Sequence, residues 1–95
     1  MSEKSIAEVV RQTLRQFLDS TGRTKVGFDD KSNLLTGLGL TSDEGIDFAI
    51  ELSAAIQVEL PLAFNPFVHD SGTRGCTVKE MIKRVELVVA NVVPA

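Results

Sequence analysis

The residue in this sequence best placed for covalent chemistry is Ser42, within the run Thr41-Ser42-Asp43-Glu44 at the predicted start of a helix. The first turn of a helix leaves N–H donors unsatisfied and carries a partial positive charge, and both favour a phosphate group. The start of this helix would therefore accommodate a phosphate group. From these four residues alone the favoured interpretation is that Ser42 or Thr41 only caps the helix, because Thr41 and Glu44 have the spacing of a capping box.

His69 and Cys76 are the only histidine and the only cysteine. His69 has no serine or cysteine nucleophile at a meaningful spacing, so we interpret it as a turn residue and not a catalytic base. We interpret Cys76 as a packed free thiol and not as a reactive thiol of low pKa. One histidine and one cysteine also give no zinc cluster and no internal disulfide. A small hydrolytic enzyme is therefore the least favoured class, and we expect no metal and no catalysis by this chain.

Three segments have apolar residues at helical spacings of three and four, and these predict three amphipathic helices. The first helix runs from Ser5 to Leu18, the second from Ser42 to about Gln57, and the third begins after Thr77. In the second helix, six side chains are available for burial: Ile46, Phe48, Ala49, Leu52, Ala55 and Ile56.

The segments between the predicted helices contain many turn residues. Residues 23–40 predict a long loop whose apolar side chains pack across the helices, because too many are present to remain in water. Those side chains are Val26, Phe28, Leu34, Leu35, Leu38 and Leu40. Residues 62–76 are irregular, with room for one short helix near Phe64 to Val68. The predicted fold is a single domain over residues 1–95, all-α, an antiparallel bundle of three long helices with one short helix or ordered turn.

The stretch from Leu38 to Pro61 resembles the central part of acyl carrier proteins. That family has a leucine and a glycine before an Asp-Ser-Leu motif at the start of the second helix, and an Ile-Pro or Leu-Pro pair about one helix later. The matching residues occur here in the same order without a gap: Leu38, Gly39, Ser42, Ile46, Asp47, Leu52, Ile56, Leu60 and Pro61.

The resemblance implies that a separate transferase attaches 4′-phosphopantetheine from coenzyme A to Ser42. Acyl intermediates would then be held as thioesters on the arm for partner enzymes, in fatty acid, lipid or specialised polyketide-type biosynthesis. Gly39 and Gly45 are small enough to leave room for the arm and for the transferase. The sequence departs from the family at Thr41 and Asp43, where an acidic and an apolar residue are usual, and residues 62–76 are longer than the usual link.

An acidic stripe is predicted along the second helix, because Asp43, Asp47 and Glu51 are spaced by four, with Glu44 beside them. Like charges at this spacing repel, so the stripe favours a basic partner. Ile50 lies next to the stripe as an exposed apolar residue, and in the resembled family this position often touches partner enzymes. We therefore expect these five residues to contact acyl-handling enzymes through basic docking patches. The alternative is a solvated helix face.

The composition excludes several other classes of function. A net charge of −3 and a pI near 5.0 attract neither nucleic acid nor anionic lipid. The apolar runs are too short to cross a bilayer and no export signal is present, so we expect a cytoplasmic monomer. The main alternative to the carrier is an unmodified helical interaction module of the same fold.

Overall fold

A computed structural model describes residues 5–61, 63–69 and 74–92 and contains three α-helices. These are α1 (Ile6–Ser20), α2 (Ser42–Ile56) and α3 (Val78–Val92), each of 15 residues. Within the described ranges there is no β-strand, only two isolated bridges between extended residues. The predicted all-α fold is confirmed as a small three-helix bundle.

Side-chain caps mark the start of each helix. The Ser5 hydroxyl accepts a hydrogen bond from the backbone N–H of Glu8 (3.2 Å) before α1. Thr77 and Glu80 form a reciprocal capping box before α3, with bonds of 3.0 and 3.2 Å. After α1 the chain reverses at Gly22, whose φ of 83° is a left-handed conformation that glycine adopts without strain.

The core is centred on three phenylalanine rings that join different parts of the chain. Phe17 of α1 meets Phe48 of α2 edge-on, with ring centroids 5.5 Å apart, and Phe67 lies 6.0 Å from Phe17 and 5.0 Å from Phe48. Edge-on and tilted rings at these separations are favourable pairs. Because α1 also packs against α3, it is the helix to which both others are fixed.

The loop between α1 and α2 packs on the core as its sequence predicts. Leu34, Leu38 and Leu40 are buried, and the other three apolar side chains of the loop are half-buried. The Asn33 amide holds the loop to the segment before α3 by donating a hydrogen bond to the carbonyl oxygen of Gly75 (3.1 Å). The start of α2 is therefore attached to an ordered loop.

The segment between α2 and α3 contains an ordered turn and no helix at Phe64–Val68, where the sequence allowed a short one. Its backbone groups pair instead with residues 74–76: the N–H of His69 donates to Arg74 (2.8 Å), and the N–H of Cys76 donates to Phe67 (2.9 Å). These two backbone N–H groups are therefore satisfied by carbonyl oxygens on the facing part of the segment, without helical hydrogen bonds.

The buried face of α2 is narrower than predicted. Gly45, Phe48 and Leu52 are buried, but Ile46 is 53% exposed and Ala55 is exposed, so the expected burial of these two was wrong. Among the helices, α2 packs against α1 and makes no close backbone contact with α3, so only one stripe of its surface is covered. None of the helices in the described ranges is long and apolar enough to span a bilayer.

Candidate functional site

Ser42 is the first residue of α2, and its side chain is exposed. Its position in the first helical turn places it beside the N–H groups that lack partners within the helix. An anion joined to its oxygen would meet both these donors and the positive end of the helix dipole.

Capping of α2 is performed by Thr41 and not by Ser42. The Thr41 hydroxyl accepts from the backbone N–H of Glu44 (3.1 Å), and the Glu44 carboxylate accepts from the backbone N–H of Thr41 (3.0 Å). The Ser42 hydroxyl makes no hydrogen bond to any residue in the described part of the chain. The two adjacent hydroxyls therefore differ: that of Thr41 caps the helix, and that of Ser42 is exposed without a hydrogen-bond partner in this part of the chain.

Glu44 is also held by Arg23, which lies in the turn after α1. The two guanidinium nitrogens each lie 3.0 Å from a carboxylate oxygen of Glu44, and one of them donates to the carbonyl oxygen of Gly39 (3.0 Å). Burial alone would raise the pKa of Glu44, but the hydrogen bonds from Arg23 and Thr41 outweigh it and the pKa lies below its ordinary value. Glu44 thus fixes the start of α2, and it contributes less unpaired negative charge to the acidic stripe than the other acidic residues of the stripe do.

The two glycines near Ser42 have different structural roles. Gly39 has a φ of 72° and open space around it, so its backbone conformation requires glycine. Gly45 is buried, and a Cβ atom there would lie 2.0 Å from the Oδ1 atom of Asn65. The space beside Gly45 is therefore occupied by Asn65, and the expectation that Gly45 leaves room for an arm was wrong.

Asn65 connects the segment between α2 and α3 to the start of α2. Its amide donates to the carbonyl oxygen of Ser42 (2.8 Å), and its Oδ1 atom accepts from the N–H of Phe67 (3.0 Å). The Arg84 guanidinium of α3 donates to the carbonyl oxygens of Asn65 (3.2 Å) and Val68 and stacks 4.9 Å from the ring centroid of Phe64. A continuous set of contacts therefore runs from α3 to the backbone of Ser42.

The outer face of α2 carries exposed acids beside an exposed apolar side chain. Asp43, Asp47 and Glu51 are exposed, and Ile50 is 67% exposed. None of the three carboxylates forms an ion pair within the described residues. The structure thus brings together four of the five residues expected to contact a partner, while Glu44 is turned toward Arg23.

A shallow groove of about 70 Å³ begins one turn after Ser42. Its lining consists of Ile46, Ala49, Ile50, Ser53, Leu60, Pro61 and Phe64. Typical ligand cavities are about 300–1,000 Å³, so the groove cannot enclose a large group. It offers an apolar surface along which a chain attached at Ser42 could lie.

Cys76 and His69, the other two candidate reactive side chains, form no hydrogen bond with Ser42 in the described ranges. Cys76 is fully buried, and this burial raises the pKa of its thiol despite a hydrogen bond from Arg84 (3.1 Å). The interpretation of Cys76 as a packed thiol is confirmed. His69 is half-buried in the turn opposite Arg74, and no group of three or more potential metal ligands occurs among the described residues.

Arg23, Phe64, Asn65 and Arg84 belong to the site but were not identified from the sequence. Asn65 precedes a proline, which indicates a turn, but nothing in the sequence shows that its amide reaches Ser42. Arg23 and Glu44 are far apart along the chain, so no local spacing predicts their ion pair. These contacts depend on the tertiary fold.

Comparison with known proteins gives no relative from which to transfer a function. No protein-family model, no curated protein and no solved structure matches the chain.

Proposed function

We propose that this protein is an acyl carrier whose Ser42 bears a 4′-phosphopantetheine arm. The main support is a difference between two adjacent hydroxyl groups. Thr41 caps α2, while the Ser42 hydroxyl is exposed and makes no hydrogen bond in the described part of the chain. The order of residues from Leu38 to Pro61, which resembles that of acyl carrier proteins, supports the same function.

Attachment joins the Ser42 oxygen to the phosphorus of coenzyme A's phosphopantetheine and releases adenosine 3′,5′-bisphosphate. A separate transferase supplies the base that removes the hydroxyl proton. The carrier's own residues hold the start of α2 rigid through Thr41, Glu44 and Arg23, and they offer the helix N-terminus to the resulting phosphodiester. The thiol of the arm holds the acyl group as a thioester.

Partner enzymes would dock on the exposed face of α2. Asp43, Asp47 and Glu51 supply unpaired negative charge around Ile50, so the complementary surface has lysines or arginines around an apolar patch. Glu44 acts mainly within the carrier, through Arg23. We place the carrier in the cytoplasm, because a single unpaired cysteine fits a reducing compartment.

The second candidate is an unmodified interaction module that uses the same face of α2. The departures at Thr41 and Asp43, which leave only the serine of the usual three-residue motif, favour this alternative. Both candidate functions use the same partner surface, so they differ only in whether Ser42 carries the phosphopantetheine arm.

Intact-mass measurement after incubation with coenzyme A, magnesium and a broad-specificity phosphopantetheinyl transferase tests the proposal. We expect one added phosphopantetheine in the native protein and in a Ser53→Ala control, and none in Ser42→Ala. A protein that stays unmodified with several transferases would support the interaction module instead.

A further inference from the structure

Three large apolar side chains that remain exposed in the described residues lie around Phe64. Ile46 (53% exposed) and Ile50 (67%) line the groove on α2, and Phe64 forms its other wall. Phe64 also lines a second depression with Leu87 of α3, which is 65% exposed. A largely apolar strip therefore crosses from α2 to α3 with Phe64 at its centre, where the half-buried Arg84 guanidinium stacks on the Phe64 ring. We call this surface the Phe64 face.

Charges of opposite sign flank the two ends of the Phe64 face. Beyond Ile50 on α2 lie Asp47 and Glu51, and beyond Leu87 on α3 lies Lys83, with Lys79 one turn before it. These four charged residues are exposed and form no ion pair within the described chain.

Glu86 adjoins Lys83, but the two lysines leave the α3 end net positive. The α2 end of the face is thus acidic and the α3 end is basic. Between them, apolar side chains lie on both sides of Phe64.

This order makes the face complementary to itself. A two-fold axis that passes through Phe64, perpendicular to the strip, places the α2 end of each face over the α3 end of the other. The symmetry forms the pair of Asp47 with Lys83 of the other copy twice. It also brings the isoleucines of α2 into contact with Leu87 of the other copy. A partner with only a basic patch would match the α2 end but face the lysines of α3 with like charge.

We propose that the Phe64 face is the interface of a reversible homodimer, which replaces the monomer expected from the sequence. Three exposed apolar side chains are far fewer than an obligate interface uses, so the dimer is weak and sensitive to salt. Because it covers Ile50 and Asp47, dimer formation competes with docking of partner enzymes on α2.

Sedimentation equilibrium of the unmodified protein at low salt, from micromolar to millimolar concentration, tests this interface. We expect a monomer–dimer equilibrium in the native protein. Asp47→Lys and Lys83→Glu should each weaken the dimer about tenfold or more, since symmetry places each change in the interface twice. The double variant Asp47→Lys/Lys83→Glu should restore the dimer. A mixture of the two single variants should form heterodimers.

Lys25→Glu, an exposed charge in the loop after α1, is the matched control and should leave the dissociation constant unchanged. A native protein that remains monomeric across the range would overturn the proposal. A dimer that survives both single reversals, or that the double variant fails to restore, would equally overturn it. Because no transferase is present, failure here leaves the modification of Ser42 a separate question.

Discussion

The side-chain amide of Asn65 donates a hydrogen bond of 2.8 Å to the carbonyl oxygen of Ser42, although the two residues lie on different elements. Asn65 is held in turn by Arg84 of α3, which donates to its carbonyl oxygen. The contact gives the irregular segment between α2 and α3 a defined role, because it holds the start of α2 in addition to the ion pair of Arg23 with Glu44. Ser42 is thus an exposed residue on a firmly held backbone.

Gly45→Ala should destabilise the protein although alanine favours helices. The new Cβ atom would lie 2.0 Å from Asn65 Oδ1 and would displace an amide that makes two hydrogen bonds. Overpacking of this kind costs about 1–3 kcal/mol, against about 1 kcal/mol gained in helix propensity, so we expect a net loss of about 1 kcal/mol in urea unfolding.

Gly27→Ala is the matched control for Gly45→Ala, since nothing lies within 4 Å of a Cβ atom at Gly27. It should leave the free energy of unfolding unchanged or raise it by about 0.5 kcal/mol. In Gly45→Ala/Asn65→Ala the two effects should be less than additive, because the second change removes the clash. Strict additivity would show that Asn65 does not fill this space.

Thr41→Ala and Ser42→Ala should differ in stability despite removing adjacent hydroxyl groups. The Thr41 hydroxyl caps α2, and loss of such a cap costs about 1 kcal/mol. The Ser42 hydroxyl has no partner among the described residues, so its loss should stay within about 0.5 kcal/mol. Chemical denaturation of both variants measures the difference, and equal losses would mean that Ser42 shares the capping role.

Glu80 should make folding sensitive to acid. Hydrogen bonds from Arg74 and from the backbone of Thr77 lower the pKa of Glu80 from 4.5 to about 2. Because the folded pKa is the lower one, this contribution is present above about pH 4.5 and is lost as the pH falls toward 2. The pair is partly exposed, so the effect should not exceed about 1 kcal/mol.

Denaturation curves between pH 7 and pH 2 measure this contribution. Glu80→Gln and Arg74→Gln should both flatten the pH dependence relative to the native protein, since either change removes the charge-assisted pair. An unchanged slope in both variants would show that the pair does not contribute.

Glu51→Lys should weaken docking of the transferase without altering Ser42. Glu51 is exposed beside Ile50, and reversal of its charge opposes a basic partner surface. We expect KM for modification to rise about tenfold at low salt, with little change in kcat. Glu59→Lys has the same charge change at an exposed position after α2 and serves as the control. Equal effects from both variants would indicate a response to net charge alone.

The helices were predictable because local sequence specifies their ends. The Thr41–Glu44 and Thr77–Glu80 pairs predicted the starts of α2 and α3, and both capping boxes are present. The exposure of Ile50 was predictable from helical periodicity and is confirmed.

Features that depend on the neighbours of each helix were not predictable. Ile46 has the spacing of a buried residue, but α2 packs against α1 and leaves that side open. The sequence left a short helix or an ordered turn open at 64–68, and the turn forms because the backbone there pairs with residues 74–76, which no local pattern reveals. The pairing of Glu44 with Arg23 depends likewise on how the loop after α1 folds back.

Whether Ser42 carries the arm is tested most directly by the mass of the protein purified from cells that also express a broad-specificity phosphopantetheinyl transferase. Fragmentation then locates any added group. We expect a single phosphopantetheine on Ser42 and an unmodified Ser42→Ala variant of unchanged fold. An unmodified native protein, or a group attached to any other residue, would contradict the carrier function of Ser42.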